Sequence, residues 1–275
     1  DGAGHTISAI EGVDYVIANT ARLIEATAPA TISNLVIDGK DNVYNGFGIR
    51  GIYTIGTGDI TVQNVKIYNC TYAINANNAG KLTVLNSTLQ GWNSYGSTTE
   101  NRFENVKFID GKYHNFRPYN NTVCKNCDFG AGVVIDLSCM VDGATIKFIN
   151  CTYDGQPLTA ANLTDGVDVA VDMIVTEKPT NNGLVQNVAN VENMTIDGGN
   201  YTTTDGKGLR GIYITTGGVY NVNNVVVKNV TYAINVNTTA AVTLNVKNTT
   251  LEGWSSYGDT TTASFKNVKF ECGKY

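Results

Sequence analysis

Short stretches of alternating apolar and polar residues recur along the chain, separated by turns rich in glycine, asparagine and threonine. Many of them contain a four-residue phrase, Asn-x-x-apolar, whose second residue is mostly small or apolar. The phrase begins at Asn34, Asn64, Asn86, Asn105, Asn126, Asn150, Asn193, Asn224, Asn248 and Asn267. Its spacing stays near a period of about 22 residues, apart from one gap of roughly twice that length after Asn150. The alternating segment Val167–Val175 predicts a strand that fills this gap.

This period predicts a β-solenoid, in which each coil buries its apolar side against the next coil. Asparagine suits the sharp turn of each phrase because it tolerates left-handed backbone better than other non-glycine residues, and stacked amides can hydrogen-bond between coils. We therefore expect an all-β, right-handed parallel β-helix of roughly a dozen coils, about 60 Å long at ~4.8 Å per strand. Only Asn19–Thr27 has helical character. The alternative fold is a pair of β-sandwiches, whose strands recur about every 8–12 residues.

The chain also contains a tandem duplication with a nearly constant offset. The repeated phrases are RGIY at Arg50 and Arg210, TYAIN at Thr71 and Thr231, and GW at Gly91 and Gly253. The offset drifts by only a few residues, as short loop insertions would produce. We place the first copy at 12–165 and the second, truncated copy at 166–275, within one continuous β-helix over 1–275.

Three phrases carry a family resemblance: DGAGHTI at the start of the chain, NCTY at Asn69 and Asn150, and GWxSYG at Gly91 and Gly253. Together with the asparagine pattern they resemble the right-handed parallel β-helix of the pectin-lyase-like superfamily. More narrowly, they resemble repetitive surface proteins of gut bacteria. The resemblance covers essentially the whole chain and implies the fold and an extracellular or cell-surface location. It leaves the function open, since one fold hosts many activities.

Composition and charge argue against several classes of protein and of binding partner. The chain is 42% hydrophobic and 16% charged, which argues against disorder. A net charge of -5 argues against nucleic acid, because phosphate binding needs clustered lysine and arginine. No apolar run is long enough to predict a membrane span. No cofactor is expected, and a single CxxC at Cys124 and Cys127 with two histidines does not predict a zinc site.

The six cysteines favour buried free thiols over a disulfide framework. Cys70, Cys127 and Cys151 each follow an asparagine of a repeated phrase, and the second copy has Val230 in place of Cys70. A cysteine that alternates with valine behaves as a small apolar residue.

The sequence lacks the catalytic motifs that the superfamily resemblance would imply. The resemblance implies acidic calcium ligands beside an arginine or lysine base, or clustered aspartates with a histidine, yet no Asp-Asp pair occurs. The best remaining cluster is the segment KYHNFRPYN, with Lys112, His114, Arg117 and Tyr119. A tyrosine or histidine base with an arginine facing a uronate is reasonable lyase chemistry. The alternative is an irregular loop whose arginine and tyrosine hold the edge of a coil.

The only two tryptophans, Trp92 and Trp254, each follow a ladder strand by one glycine and precede a tyrosine, Tyr95 or Tyr257, by three residues. As a binding site, each indole and phenol would form a platform for a sugar face. As a structural corner, each tryptophan would instead fold back over an apolar edge of its coil.

Three functions follow from these features. The first is a non-catalytic adhesion or glycan-binding stalk, secreted or on the cell surface, favoured by the duplication, the acidic polar composition and the missing catalytic phrases. The second is a polysaccharide lyase or glycosidase acting on acidic polysaccharide, and the third is a structural spacer without a ligand. A β-helix that ends within a coil has unpaired edge groups, so we also expect end-to-end association of rods and further coils in a longer parent protein.

Overall fold

The computed structural model describes residues 1–10, 21–41, 43–44, 47–159, 162–164, 170–174, 179, 181–199, 201 and 208–273. This part of the chain is all-β, without an α-helix, and its parallel sheets stack as a β-solenoid of about nine turns in all. The predicted parallel β-helix is confirmed. The predicted dozen coils is too many, because several coils carry longer loops than the short period allows.

The chain divides into two compact units. The first comprises Asp1–Lys147, Cys151–Gly155 and Leu163–Val167, and the second comprises Phe148–Asn150, Gln156–Asn162 and Asp168–Tyr275. The described residues contain no helix that is long and apolar enough to cross a membrane.

The strands up to residue 157 are β1 (Thr6–Ser8), β2 (Arg22–Ala26), β3 (Ala30–Asp38), β4 (Val43–Tyr44), β5 (Phe47–Gly48), β6 (Arg50–Thr54), β7 (Ile60–Tyr68), β8 (Tyr72–Ala76), β9 (Lys81–Leu85), β10 (Thr88–Gln90), β11 (Trp92–Tyr95), β12 (Glu100–Glu104), β13 (Lys107–Ile109), β14 (Asn115–Pro118), β15 (Asn121–Lys125), β16 (Asp128–Phe129), β17 (Val134–Asp136), β18 (Ile146–Ile149), β19 (Thr152–Tyr153) and β20 (Gln156–Pro157). The strands that follow are β21 (Leu163–Thr164), β22 (Ala170–Ile174), β23 (Gly183–Gln186), β24 (Asn190–Asp197), β25 (Arg210–Ile214), β26 (Gly218–Lys228), β27 (Tyr232–Val236), β28 (Val242–Lys247), β29 (Thr250–Glu252), β30 (Trp254–Ser256), β31 (Thr261–Lys266) and β32 (Lys269–Glu271).

In the first unit, two strands of each coil meet at an asparagine corner in one large sheet, and a third strand belongs to a second sheet. Strands β9 and β10, on either side of Asn86, pair in parallel with β7 of the previous coil and with β12 and β13 of the next. Strand β11 of the same coil pairs in parallel with β8 and β14. The second sheet runs in the order β2-β6-β8-β11-β14-β17-β21.

The second unit repeats this arrangement. Its large sheet contains β22, β24, β26, β28 and β31, each paired in parallel with the next. Strands β29 and β32 continue the same sheet beyond the asparagine corner. The other sheet runs in the order β23-β25-β27-β30, and its outward side carries arginine, tyrosine and tryptophan side chains.

The asparagine corners are as predicted. All ten asparagines that begin the repeated phrase have left-handed backbone, with φ between 49° and 55°. Their amides also form the predicted ladder: Asn64 Nδ2 donates to Asn34 Oδ1 at 3.0 Å, and Asn224 Nδ2 donates to Asn193 Oδ1 at 2.8 Å. Each asparagine therefore turns the chain and also ties its coil to the neighbouring one.

Two local predictions have different outcomes. The helical character assigned to Asn19–Thr27 is wrong for the described residues, since Arg22–Ala26 is strand β2; residues 19 and 20 lie outside them. Strand β2 pairs with β6 and places Ile24 beside Ile52, so sheet pairing overrides local helix propensity. The strand predicted at Val167–Val175 is confirmed over Ala170–Ile174, while residues 167–169 and 175 lie outside the described part.

The two units have different cores. The first stacks phenylalanines from successive coils, and Phe108 lies parallel to Phe129 with 4.7 Å between ring centroids. The second core is mostly aliphatic, with Val191, Val222 and Val246 in register and at most 1% exposed. Fully burying each such side chain contributes about 1.5–3 kcal/mol.

Candidate functional site

The sheet β23-β25-β27-β30 carries an unusual set of side chains on its outward side. We call six of them the aromatic face: Arg210, Tyr213, Tyr232, Asn235, Trp254 and Ser256. Strand register forms two columns. In the first, Arg210 lies beside Tyr232 and Tyr232 beside Trp254, and in the second, Tyr213 lies beside Asn235 and Asn235 beside Ser256. Residues between the two columns are buried, as Ile212 and Ile234 show.

Arg210 lies at the centre of the aromatic face and contacts three of its other residues. Its guanidinium lies between the rings of Tyr213 and Tyr232, 4.9 Å and 5.6 Å from their centroids. Its Nε donates to Asn235 Oδ1 at 3.0 Å, and its Nη1 donates to the carbonyl of Gly208 at 3.2 Å. Among the described residues no carboxylate pairs with it. The cation–π contacts therefore fix both tyrosine rings, each contact contributing about 0.5–2 kcal/mol.

Trp254 is the most exposed aromatic residue of this face, with 57% of its surface accessible. Its ring meets that of Tyr232 edge to face, at 5.6 Å between centroids. Polar groups lie in the neighbouring column: Asn237 Nδ2 donates to Tyr213 Oη at 3.1 Å, and Ser256 is exposed. An accessible indole on a paired strand thus lies next to amide and hydroxyl groups, which offers a ligand an apolar ring face beside hydrogen-bonding partners.

The first copy contains the same arrangement on β6 and β8. Arg50 lies 5.2 Å from the ring centroid of Tyr53 and 5.3 Å from that of Tyr72. Its Nε donates to Asn75 Oδ1 at 2.9 Å. The backbone of Trp92 lies beside Tyr72, as that of Trp254 lies beside Tyr232, but the side chain of Trp92 lies outside the described part.

The two copies retain the aromatic face while other outward positions have changed. The retained pairs are Arg50/Arg210, Tyr53/Tyr213, Tyr72/Tyr232, Asn75/Asn235, Trp92/Trp254 and Ser94/Ser256. On the large sheet, four outward pairs between β7 and β26 differ, namely Thr61/Asn221, Gln63/Asn223, Lys66/Val226 and Tyr68/Lys228, whereas the corner pair Asn64/Asn224 is retained. The aromatic face is thus retained as a set, and the hydrogen bond between the buried Arg210 and Asn235 gives two of its residues a structural role.

Tyr95 and Tyr257 do not belong to this face, and the predicted platform of an indole with the tyrosine three residues later is not formed. Tyr95 is fully buried, 5.0 Å from the ring centroid of Phe103. Tyr257 packs against the second core, 5.7 Å from Phe265. The reason is the period of a strand: residues separated by three positions point to opposite sides of the sheet.

Two of the candidate lyase residues are engaged locally. Lys112 Nζ lies 5.7 Å from the ring centroid of Tyr113. His114 Nδ1 lies 3.1 Å from Asp110 Oδ1, four residues earlier in the chain. Both contacts are within the loop that precedes β14, as expected for a loop that holds its own shape.

Arg117 and Tyr119 lie near each other at the end of the same segment, but their environments do not suit lyase chemistry. Arg117 Nε donates to Asp136 Oδ2 at 2.8 Å, so a carboxylate of the next coil already compensates its charge. Burial raises the pKa of the Tyr119 phenol, and a hydrogen bond with Cys139 raises it further. Tyr119 is thus a poor general base near neutral pH.

The cysteines have two kinds of environment. Cys70, Cys124, Cys127 and Cys151 are buried free thiols, as predicted, and burial raises the pKa of Cys70 to about 12. Cys139 is half-buried and Cys272 is exposed, so the prediction of burial is wrong for these two. Within the described residues no group of three or more histidine, cysteine, aspartate or glutamate side chains is arranged to hold a metal ion.

No protein-family model, curated protein or solved structure matches this chain. The structure thus defines its class by architecture alone: a parallel β-solenoid that carries arginine–tyrosine contacts on the outward side in both copies of a duplication, with an exposed tryptophan beside them in the second.

Sequence reasoning found Trp254 but missed Arg210, Tyr213, Tyr232 and Asn235. Their signal was present in the phrases RGIY and TYAIN, which mark the duplication. The arginine and the tyrosine of RGIY are three residues apart, so simple alternation would place them on opposite sides of the strand. Only the structure shows that both lie on the outward side, where they meet the tyrosine and the asparagine of the next coil.

Proposed function

We propose that this protein is a non-catalytic, glycan-binding β-solenoid that works at the cell surface or in a secreted protein. The observation that carries the proposal is the aromatic face, with Trp254 exposed at its end and its six residues retained in both copies. Apolar faces of sugar rings stack on indole, and sugar hydroxyls bond to exposed amide and hydroxyl groups such as those of Asn237 and Ser256.

The finer resemblance, to the pectin-lyase-like superfamily and to bacterial surface proteins, belongs to this proposal. It is supported by the parallel solenoid and the asparagine ladder. A lyase or glycosidase role has less support, because Arg117 is paired with Asp136 and His114 with Asp110. The extracellular location follows from the proposed ligand, which is a constituent of cell surfaces and matrices.

The test uses two variants, because both copies carry the aromatic face. In Trp92→Ala plus Trp254→Ala we expect binding on a glycan array to fall at least about tenfold, roughly 1.4 kcal/mol. In Trp254→Ala, whose replaced side chain is mostly exposed and lies against Tyr232, the free energy of unfolding should change by about 1 kcal/mol or less, a shift in Tm of about 2–4 °C.

Val226→Ala is the matched control, since Val226 is an exposed apolar residue on the outward side of the other sheet. It should leave glycan binding unchanged. If the wild-type protein binds no glycan, or if the folded double variant binds as well as wild type, the proposal is wrong and a structural spacer is the better description.

A further inference from the structure

The columns of the aromatic face run in a defined direction across the sheet. Its columns run from coil to coil, so that Arg210, Tyr232 and Trp254 occupy register-matched positions on three successive strands. Neighbouring strands lie about 4.8 Å apart, close to the length that one pyranose unit adds to an extended glycan chain. A glycan that lies parallel to the stacking direction therefore meets one outward side chain of each column with each sugar unit. A glycan that lies along a strand meets the residues of a single coil.

The aromatic face also has little accessible charge. Arg210 is its only charged residue, and Arg210 is 8% exposed with a tyrosine ring on either side. The remaining groups are phenol, amide, hydroxyl and indole. The whole chain has a net charge of -5, which disfavours the approach of a polyanion. The phenol, amide, hydroxyl and indole groups of the face therefore match the hydroxyls and apolar ring faces of uncharged sugars better than they match the carboxylates of a polyuronate.

Resting on the glycan-binding function proposed above, we infer that the aromatic face takes a neutral polysaccharide, whose chain lies along the stacking direction and contacts Trp254 and Tyr232 with successive sugar units. Trp254 stacks on one sugar ring, and Tyr232 lies against the next. Arg210 is buried behind these rings and acts on the glycan only by holding Tyr232 in place.

The first experiment decides the class of ligand. An array of neutral polysaccharides (β-glucan, mannan, xylan) and acidic ones (polygalacturonate, alginate) is probed with the full chain at low and high salt. We expect binding to neutral polysaccharide that does not weaken with salt. Tighter binding to the acidic group, weakened by salt as screened charges are, overturns the neutral assignment while leaving glycan binding intact. Binding to neither group overturns the proposed function itself.

The second experiment decides the orientation. Oligosaccharides of one to six units, prepared from the polysaccharide that binds, are titrated calorimetrically. We expect affinity to rise from one unit to two, by roughly threefold or more, and then to level, because Trp254 and Tyr232 on adjacent strands carry the accessible contacts. Since both copies carry the face, the variant is Trp92→Ala plus Trp254→Ala, in which the rise from one unit to two should disappear, with circular dichroism confirming the fold. A wild-type affinity that is independent of length, or a rise that the double variant leaves unchanged, overturns the orientation.

Discussion

At the residue scale, asparagine has two structural roles in this fold. Asparagine adopts the left-handed backbone at each corner without the steric cost that other side chains meet, and its amide bonds to the next coil. Glycine would satisfy only the first requirement and a longer amide only the second. This double role explains why the phrase recurs with the same residue in both copies.

Replacing Asn105 tests the two contributions separately. Asn105 has φ 54°, donates to Asn86 Oδ1 at 3.0 Å and accepts from Asn126 Nδ2 at 3.2 Å. Asn105→Ala loses both bonds and strains the backbone, so we expect a loss of about 2 kcal/mol in urea unfolding. Asn105→Gly loses the bonds but relieves the strain and should be less damaging. Equal losses in the two variants would show that backbone conformation does not matter at this corner.

At the element scale, the strand that carries each tryptophan depends on the glycine before it. Gly91 and Gly253 have φ of 125° and 109°, in the region that favours glycine. The glycines bring β11 and β30 close to the preceding coil. The strand register shifts between Trp92 and Asn93 in the first copy, and between Tyr232 and Ile234, opposite Trp254, in the second.

Gly91→Ala should therefore be much more damaging than Gly96→Ala in the same phrase. A Cβ at Gly91 would lie 2.5 Å from the carbonyl oxygen of Cys70, whereas the nearest atom to a Cβ at Gly96 is Asn77 Oδ1 at 3.6 Å. We expect Gly91→Ala to cost about 1–3 kcal/mol and Gly96→Ala about 0.5 kcal/mol or less. Thermal unfolding of both variants measures this, and similar melting temperatures would contradict the close approach.

At the scale of the whole molecule, both copies place carboxylates where coils meet. Burial alone would raise the pKa of Asp38 and of Asp197, but hydrogen bonds that include one from Asn69 or Asn229 leave each pKa below its ordinary value. Hydrogen bonds from Arg102 and Lys125 lower the pKa of Glu104. Because these pKa values are lowered on folding, the carboxylates stabilise the protein above their unfolded pKa.

This stabilisation should disappear as the pH falls through the folded-state pKa values, so the urea midpoint should decrease below about pH 4. Asp136 provides the test, because hydrogen bonds from Ser138 and Arg117 outweigh burial and lower its pKa. Asp136→Asn should be less stable at pH 7 and lose less on acidification. Asp142→Asn, at an exposed carboxylate, serves as the control and should follow wild type. A midpoint that does not change with pH would contradict the assignment.

The sequence by itself determined the repeating parts of this protein: parallel strands, a short period, asparagine corners with a hydrogen-bonded ladder, and glycines before the tryptophans. Each of these follows from local chemistry that recurs, because a left-handed turn or an alternating strand is specified by a few adjacent residues. The helical character assigned to Asn19–Thr27 failed for the opposite reason, since pairing of β2 with β6 is not a local property.

Only the tertiary structure decided which side chains form the aromatic face. Trp254 and Tyr257 are three residues apart in sequence, yet one faces solvent and the other the core. Arg210, Tyr232 and Trp254 are each more than twenty residues apart, yet they are neighbours. Adjacency across coils is set by strand register and by the length of every intervening loop, and no single phrase of the sequence contains that information.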